Sequence, residues 1–80
     1  NKLIAAVAFV KSANLDSAAA SATLPLSIAD RGSIPAQWQG HVAVALRRGF
    51  LTVDSDQKFN SDRAVTRIEL IRAMNALIDR

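Results

Sequence analysis

The residues best suited to binding chemistry lie in a charged loop and at the start of the last predicted helix. Thr66-Arg67-Ile68-Glu69 fits a capping box, in which the threonine and the glutamate satisfy each other's backbone amides. That pattern does not explain Arg67, because a cation in the first turn of a helix opposes the helix dipole. The planar fork of donors of an arginine at a helix start suits a carboxylate or a phosphate. Arg67 is therefore the first candidate for ligand binding.

Two further cations lie close to this helix start in the sequence. Arg63 precedes it, and Lys58 belongs to the same loop. Together with Arg67 they predict a small anion-binding site. A purely structural alternative stays open, in which Arg67 pairs with Asp62 or another acid at the surface.

Trp38 and His41 lie about one helical turn apart. The indole of Trp38 offers an apolar face to a sugar ring, and it serves equally well as a packed anchor of its own helix. His41 is the only histidine, and the chain contains no cysteine, so there is no second histidine or thiolate for a metal or catalytic set. We expect His41 to lie at the surface or half-buried.

The sequence lacks the motifs for nucleophilic catalysis, phosphate binding and calcium binding. The serines have no nucleophile-elbow context, and the three glycines are too scattered for a phosphate-binding loop. Asp54-Ser55-Asp56 begins like a calcium loop, but Phe59 stands where such a loop needs glycine, and Val65 where it needs glutamate. We therefore expect no enzyme activity in this chain, no metal and no cofactor.

Size and charge set further limits. The chain has 80 residues, of which 50% are hydrophobic, so it forms one small domain or a piece of a longer protein. The formal net charge of +3 is scattered over helices and loops, which argues against a nucleic-acid recognition helix. No uncharged stretch reaches the roughly 20 residues that a membrane-spanning helix needs.

Hydrophobic periodicity predicts three main helices and therefore an all-α fold. They cover about residues 1–13, 35–48 and 66–79. The first begins like a secretory signal peptide, but Lys11 interrupts its apolar run, so an amphipathic helix is the better interpretation. Residues 15–34 are predicted to form the connection between the first two helices, with one helical turn through the alanines. Residues 50–65 are predicted as a long loop that Phe59 anchors to the core.

Each predicted helix has an apolar face that we expect to form the core. The faces are Leu3, Ile4, Val7 and Val10 in the first helix, Trp38, Val42, Ala45 and Leu46 in the second, and Leu70, Ile71, Met74, Leu77 and Ile78 in the third. Positions 3, 4, 7 and 10 map onto 70, 71, 74 and 77 at one constant offset. This internal match predicts a fragment of a repeat array.

Residues 30–78 resemble an S-layer homology (SLH) domain. The resemblance rests on an ordered set of motifs. They are Ile34-Pro35-x-x-Trp38, the alanine-containing helix ending at Gly49, Phe50-Leu51, the acidic turn before Phe59, and Val65-Thr66-Arg67-Ile68-Glu69 at the position of the family's Thr-Arg-Ala-Glu signature. On this view residues 1–29 are the closing helix of a preceding repeat with its linker, and residues 30–80 are one SLH-like repeat.

The resemblance implies a non-catalytic module that anchors a secreted bacterial protein to the cell wall or cell surface. Secreted enzymes are among the proteins that such modules anchor. SLH modules bind acidic, commonly pyruvylated, wall polysaccharide in grooves between neighbouring repeats. The arginine that contacts this glycan in the family corresponds to Arg67. Arg63, Lys58 and Trp38 are further candidates for glycan contact.

The sequence also departs from the family pattern. Ile68 replaces the small alanine of the signature, Gln57 replaces the glycine of the acidic turn, and Ser61 replaces a proline. These departures favour a second hypothesis, a degenerate copy that acts as a protein–protein packing or oligomerisation module. A homo-oligomer formed through the apolar faces of the first and last helices is the corresponding prediction.

Overall fold

The chain is built from four α-helices and one short 3-10 helix. The computed structural model describes residues 1–79, and no strand occurs among them. The elements are α1 (Lys2–Ser12), α2 (Asp16–Ser21), the 3-10 helix (Arg31–Ser33), α3 (Ala36–Arg47) and α4 (Arg67–Asp79). The predicted all-α class is confirmed, as are the helical turn through the alanines and the long loop before the last helix.

Local sequence signals determine where the helices begin and end. The side chain of Asn1 caps α1 by accepting a hydrogen bond from the backbone N–H of Ile4 at 2.9 Å. Asn14, with φ of 60°, and Gly49, with φ of +77°, take the left-handed conformation that ends α1 and α3. These positions agree with the ends of the helices predicted over about residues 1–13 and 35–48.

Helix α3 is the centre of the fold. Four consecutive residues, Val42 to Ala45, are buried, so neighbours cover this part of the helix on most sides. Both α1 and α2 pack against it. Of the predicted face, Val42 and Ala45 are buried, whereas Trp38 and Leu46 are only half-buried. A one-sided amphipathic helix was therefore the wrong description of α3.

Helix α1 buries a different stripe from the predicted one. Its buried residues are Lys2, Ala6 and Val10, whereas Ile4 is 66% exposed. Leu3 and Phe9 pack partly against the core, with the centroid of the Phe9 ring 6.0 Å from that of Phe50, and Ile4 remains on the outer side. Of the predicted core face, only Val10 is fully buried.

Helix α4 shows the same arrangement. Ala73 is its only buried residue in the described part of the chain, with Ala76 and Leu77 packed partly against the core. The exposed fraction is 52% for Ile71, 55% for Met74 and 77% for Ile78. The predicted core face of this helix is therefore wrong apart from Leu77. Periodicity located the apolar residues correctly, but the core contacts the adjoining small-residue stripe.

The core is continuous along the chain. Buried residues of α1 and α2 share one cluster with Phe50, Leu51 and Phe59 of the later segment. Backbone hydrogen bonds reinforce this continuity, since Lys2 donates to the carbonyl of Arg63 at 2.9 Å and Leu3 donates to that of Ser61 at 3.1 Å. No helix among residues 1–79 has the length and apolarity to cross a membrane.

Candidate functional site

The loop before α4 is ordered by Asp30, which precedes the 3-10 helix. Its two carboxylate oxygens accept hydrogen bonds from the backbone N–H groups of Phe59 at 2.8 Å and of Asn60 at 2.9 Å. Burial opposes ionisation of Asp30, but these backbone bonds outweigh it and hold the pKa of the carboxyl below its ordinary value. Asp30 therefore fixes the loop while the ring of Phe59 enters the core.

Arg63 joins this loop to α4. Its Nε and Nη2 donate to the two carboxylate oxygens of Asp54 at 2.9 and 3.0 Å, and its Nη1 and Nη2 donate to those of Glu69 at 2.9 and 2.7 Å. The second hydrogen of Nη1 goes to the carbonyl of Ala64 at 2.9 Å. All five donors of the guanidinium are thus used within the chain.

The same bonds shift the ionisation of the acids. The Arg63 bond lowers the pKa of Glu69 from its ordinary 4.5 to about 2, although burial acts in the opposite direction. The side-chain amide of Asn60, followed by Arg63, lowers the pKa of Asp54. Both acids are therefore ionised in the folded protein at neutral pH.

The capping box at the start of α4 has the predicted geometry. The hydroxyl of Thr66 accepts from the backbone N–H of Glu69 at 3.1 Å, and the Glu69 carboxylate accepts from the backbone N–H of Thr66 at 2.9 Å. Arg67 is the first residue of α4 and is exposed. Between residues 1 and 79 its guanidinium makes no side-chain hydrogen bond or ion pair, so the alternative in which it pairs with Asp62 or another acid is not formed among these residues.

Lys58 lies at the outer side of the loop. It is exposed, and it lines a hollow of about 440 Å³ together with Asp30, Ser33 and the segment from Asn60 to Arg63. The hollow thus combines cationic and acidic groups with an amide and hydroxyls. Such a mixed polar surface suits a hydrated ligand more than an apolar one.

Trp38 belongs to a different surface. With Leu3, Ile4, Val7, Ala8 and Lys11 it lines an apolar groove of about 330 Å³ between α1 and α3. Its ring meets that of His41 edge-on, with the centroids 5.2 Å apart. His41 is half-buried, as expected, and its Nε2 lies 3.0 Å from a carboxylate oxygen of Asp16. Trp38 is thus one wall of a groove and contributes to packing as well.

Lys2 is a polar residue that the sequence analysis did not single out. Its side chain is fully buried, and its Nζ donates to the carbonyl of Thr52 at 2.6 Å. The ammonium also lies 3.5 Å from the Asp54 carboxylate and 4.6 Å from the centroid of the Phe59 ring. Burial lowers the pKa of Lys2 despite the opposing effect of Asp54. Its spacing from Ala6 and Val10 on one helical stripe was the available signal.

The four predicted binding residues do not converge on one cavity. Lys58 and Arg63 line the loop hollow, Trp38 lines the α1–α3 groove, and Arg67 lines neither. The part of the chain that the structure describes has no group of three or more side chains suited to hold a metal ion. No family model, curated protein or solved structure matches this chain.

Proposed function

We propose that this chain is a non-catalytic module that retains a secreted bacterial protein at the cell wall by binding an acidic polysaccharide. The observation that carries the proposal is the state of Arg67. Its guanidinium is exposed at the start of the 13-residue helix α4 and has no side-chain partner within the described residues. A carboxylate such as that of a pyruvyl ketal matches both the arginine fork and the positive end of the helix.

The two arginines near this helix start have different roles in the proposal. All N–H donors of Arg63 are hydrogen-bonded to Asp54, Glu69 or Ala64, so this residue holds the helix start in place. Arg67 is left to meet the ligand. The backbone at the start of α4 is therefore held in place before the ligand binds, whereas the exposed Arg67 side chain loses rotamer freedom on binding.

Lys58 and Trp38 supply secondary contacts in this proposal. Lys58 adds a second cation at the loop hollow, which suits a polymer that carries repeated acidic groups. Trp38 faces a separate groove, so a glycan reaches it only as an extended chain or through a neighbouring repeat. The proposed partners are therefore the wall glycan and adjoining repeats of the same protein.

Binding to isolated cell walls tests this function. We expect the chain to sediment with walls that carry pyruvylated polysaccharide, and to stay in solution when the pyruvyl groups have been removed. High salt should weaken the binding, since an exposed arginine is readily screened. Equal sedimentation with both wall preparations would contradict the proposal that a ketal carboxylate is recognised.

A second candidate function is self-association, and the exposed apolar faces favour it. Ile68, Ile71, Met74 and Ile78 of α4 are between 52% and 77% exposed. Contiguous apolar patches on a small protein mark interaction sites. Sedimentation equilibrium over a range of concentrations tests this function, and a chain that stays monomeric at every concentration would contradict it.

A further inference from the structure

Two apolar surfaces of this chain are exposed, one a row of side chains on a helix and the other a groove between two helices. The first, here called the α4 ridge, consists of Ile68, Ile71, Met74 and Ile78, which lie on one side of α4. The second is the α1–α3 groove, with Trp38 as one wall and Ile4, which is 66% exposed, among its lining residues. A row of protruding side chains and an apolar groove are the two halves of a helix-in-groove contact.

The charges at the ends of the two surfaces are complementary. Lys11 lies at the carboxyl end of α1 beside the groove, and Asp79 ends α4. At the other end Arg67 begins α4. The exposed Asp62 lies beside the amino end of α1, because the carbonyls on either side of it accept hydrogen bonds from the first residues of that helix. A ridge that lies parallel to α1 therefore brings each cation to an acid.

We propose that the α4 ridge of one copy docks into the α1–α3 groove of a second copy, parallel to α1. The inference rests on self-association, the second candidate function, and specifies its geometry. Such an interface is heterologous, since each copy offers a ridge and a groove, so copies add head to tail into a chain or close into a ring. It covers both exposed apolar surfaces. An antiparallel pairing of two α4 ridges would leave the groove uncovered.

Complementary disruption of the two surfaces tests the geometry. Met74→Glu places a charge on the ridge, and Ile4→Glu places one in the groove. Both side chains are more than half exposed, so the variants should fold, as circular dichroism would verify. Ser17→Glu adds the same charge on the exposed side of α2 and is the matched control.

We expect the unaltered chain and the Ser17→Glu control to increase in mass with concentration, and each of the other two variants to remain monomeric. A mixture of Met74→Glu and Ile4→Glu should form a 1:1 heterodimer, because the intact ridge of Ile4→Glu docks into the intact groove of Met74→Glu. The heterodimer grows no further, since its remaining ridge and groove both carry the added charge. If Ile4→Glu alone still forms a dimer, the ridges pair with each other and the proposal is wrong.

A charge exchange provides an independent readout. Lys11→Glu and Asp79→Lys should each weaken association, and an equimolar mixture of the two should restore it, because every contact in an alternating assembly then joins opposite charges. Failure of the mixture to associate, with the unaltered chain associating, overturns the head-to-tail geometry alone. A monomeric unaltered chain overturns both this geometry and self-association. Neither set of variants alters Arg67, and glycan binding is measured at a concentration at which the chain is monomeric, because docking brings Arg67 to Asp62 of the neighbouring copy.

Discussion

Arg63 and Glu69 form a bidentate ion pair, in which Nη1 and Nη2 of Arg63 lie 2.9 and 2.7 Å from Oε1 and Oε2 of Glu69. This pair joins the loop to the first turn of α4. The helix needs such a connection, because Ala73 is its only fully buried residue in the described chain. The position of Arg67, two residues before Glu69, depends on the same pair.

Replacing Arg63 should loosen the start of α4. In Arg63→Ala the carboxylates of Asp54 and Glu69 lose their common partner, and we expect the free energy of unfolding to fall by about 2 kcal/mol. Arg63→Lys should recover only part of this loss, because an ammonium cannot make the two-pronged contacts. Urea unfolding measures both changes. Arg72→Ala removes an exposed cation from the same helix as the control, and an equal loss there would contradict the assigned role.

The Arg63–Glu69 ion pair should also make the free energy of unfolding depend on pH in the acid range. Glu69 has a pKa of about 2 in the folded chain and an ordinary value of 4.5. The folded state therefore binds fewer protons than the unfolded state between these values. The stabilisation from Glu69 is complete above about pH 4.5 and is lost as the pH falls towards 2.

Thermal unfolding between pH 2 and pH 6 checks this dependence. Glu69→Gln should lower stability at pH 6 and make stability fall less steeply as the pH is lowered. Some pH dependence should remain, because the pKa values of Asp54 and Asp30 are also lowered in the folded chain. Asp62→Asn removes an exposed carboxylate and should leave the profile unchanged. A Glu69→Gln profile parallel to that of the unaltered chain would refute the prediction.

The buried ammonium of Lys2 gives a third prediction. Lys2→Ala removes its bond to the Thr52 carbonyl and leaves a cavity against Phe59, so we expect a loss of about 2–4 kcal/mol in unfolding free energy. Lys2→Met keeps most of the apolar stem and should lose less than Lys2→Ala. The control is Lys11→Ala, whose side chain is 54% exposed and should change stability little. Equal effects at the two lysines would show that Lys2 is not buried.

Gly40 should tolerate no side chain. A Cβ at this position of α3 would collide with the carbonyl of Ala19 in α2, and a backbone group cannot swing aside. We expect Gly40→Ala to lower stability by about 1–3 kcal/mol or more. Gly32→Ala is the matched control, because nothing lies within 4 Å of a Cβ there. Calorimetric unfolding of the two variants measures the difference, and equal melting temperatures would contradict this close contact.

The parts of the fold that the sequence predicted well are set by neighbouring residues. The capping box of Thr66 and Glu69 forms because its partners are three residues apart, and Gly49 ends α3 because its own backbone is free to adopt positive φ. The anchoring of the loop by Phe59 was likewise predicted from one aromatic residue in a polar segment. The ion-pair partners of Arg63 were not predicted, since Asp54 is nine residues away and contacts it only through the turn of the loop.

Which side of a helix faces the core was less predictable. Ile4 of α1 and most of the large apolar residues of α4 lie outside, and the stripes around Ala6 and Ala73 lie inside. Periodicity gives the direction of an apolar face but not which neighbour is available to cover it. In this chain α1 and α2 pack against α3, whereas most of the apolar face of α4 stays exposed.

The most direct test of the proposed function is calorimetric titration of the chain with purified wall polysaccharide. We expect binding that requires the pyruvyl groups and that weakens at least tenfold, about 1.4 kcal/mol, in Arg67→Ala. Arg72→Ala, on the same helix, should bind as the unaltered chain does. Unchanged affinity in Arg67→Ala, with its fold intact, would contradict the central claim that Arg67 meets the acidic glycan.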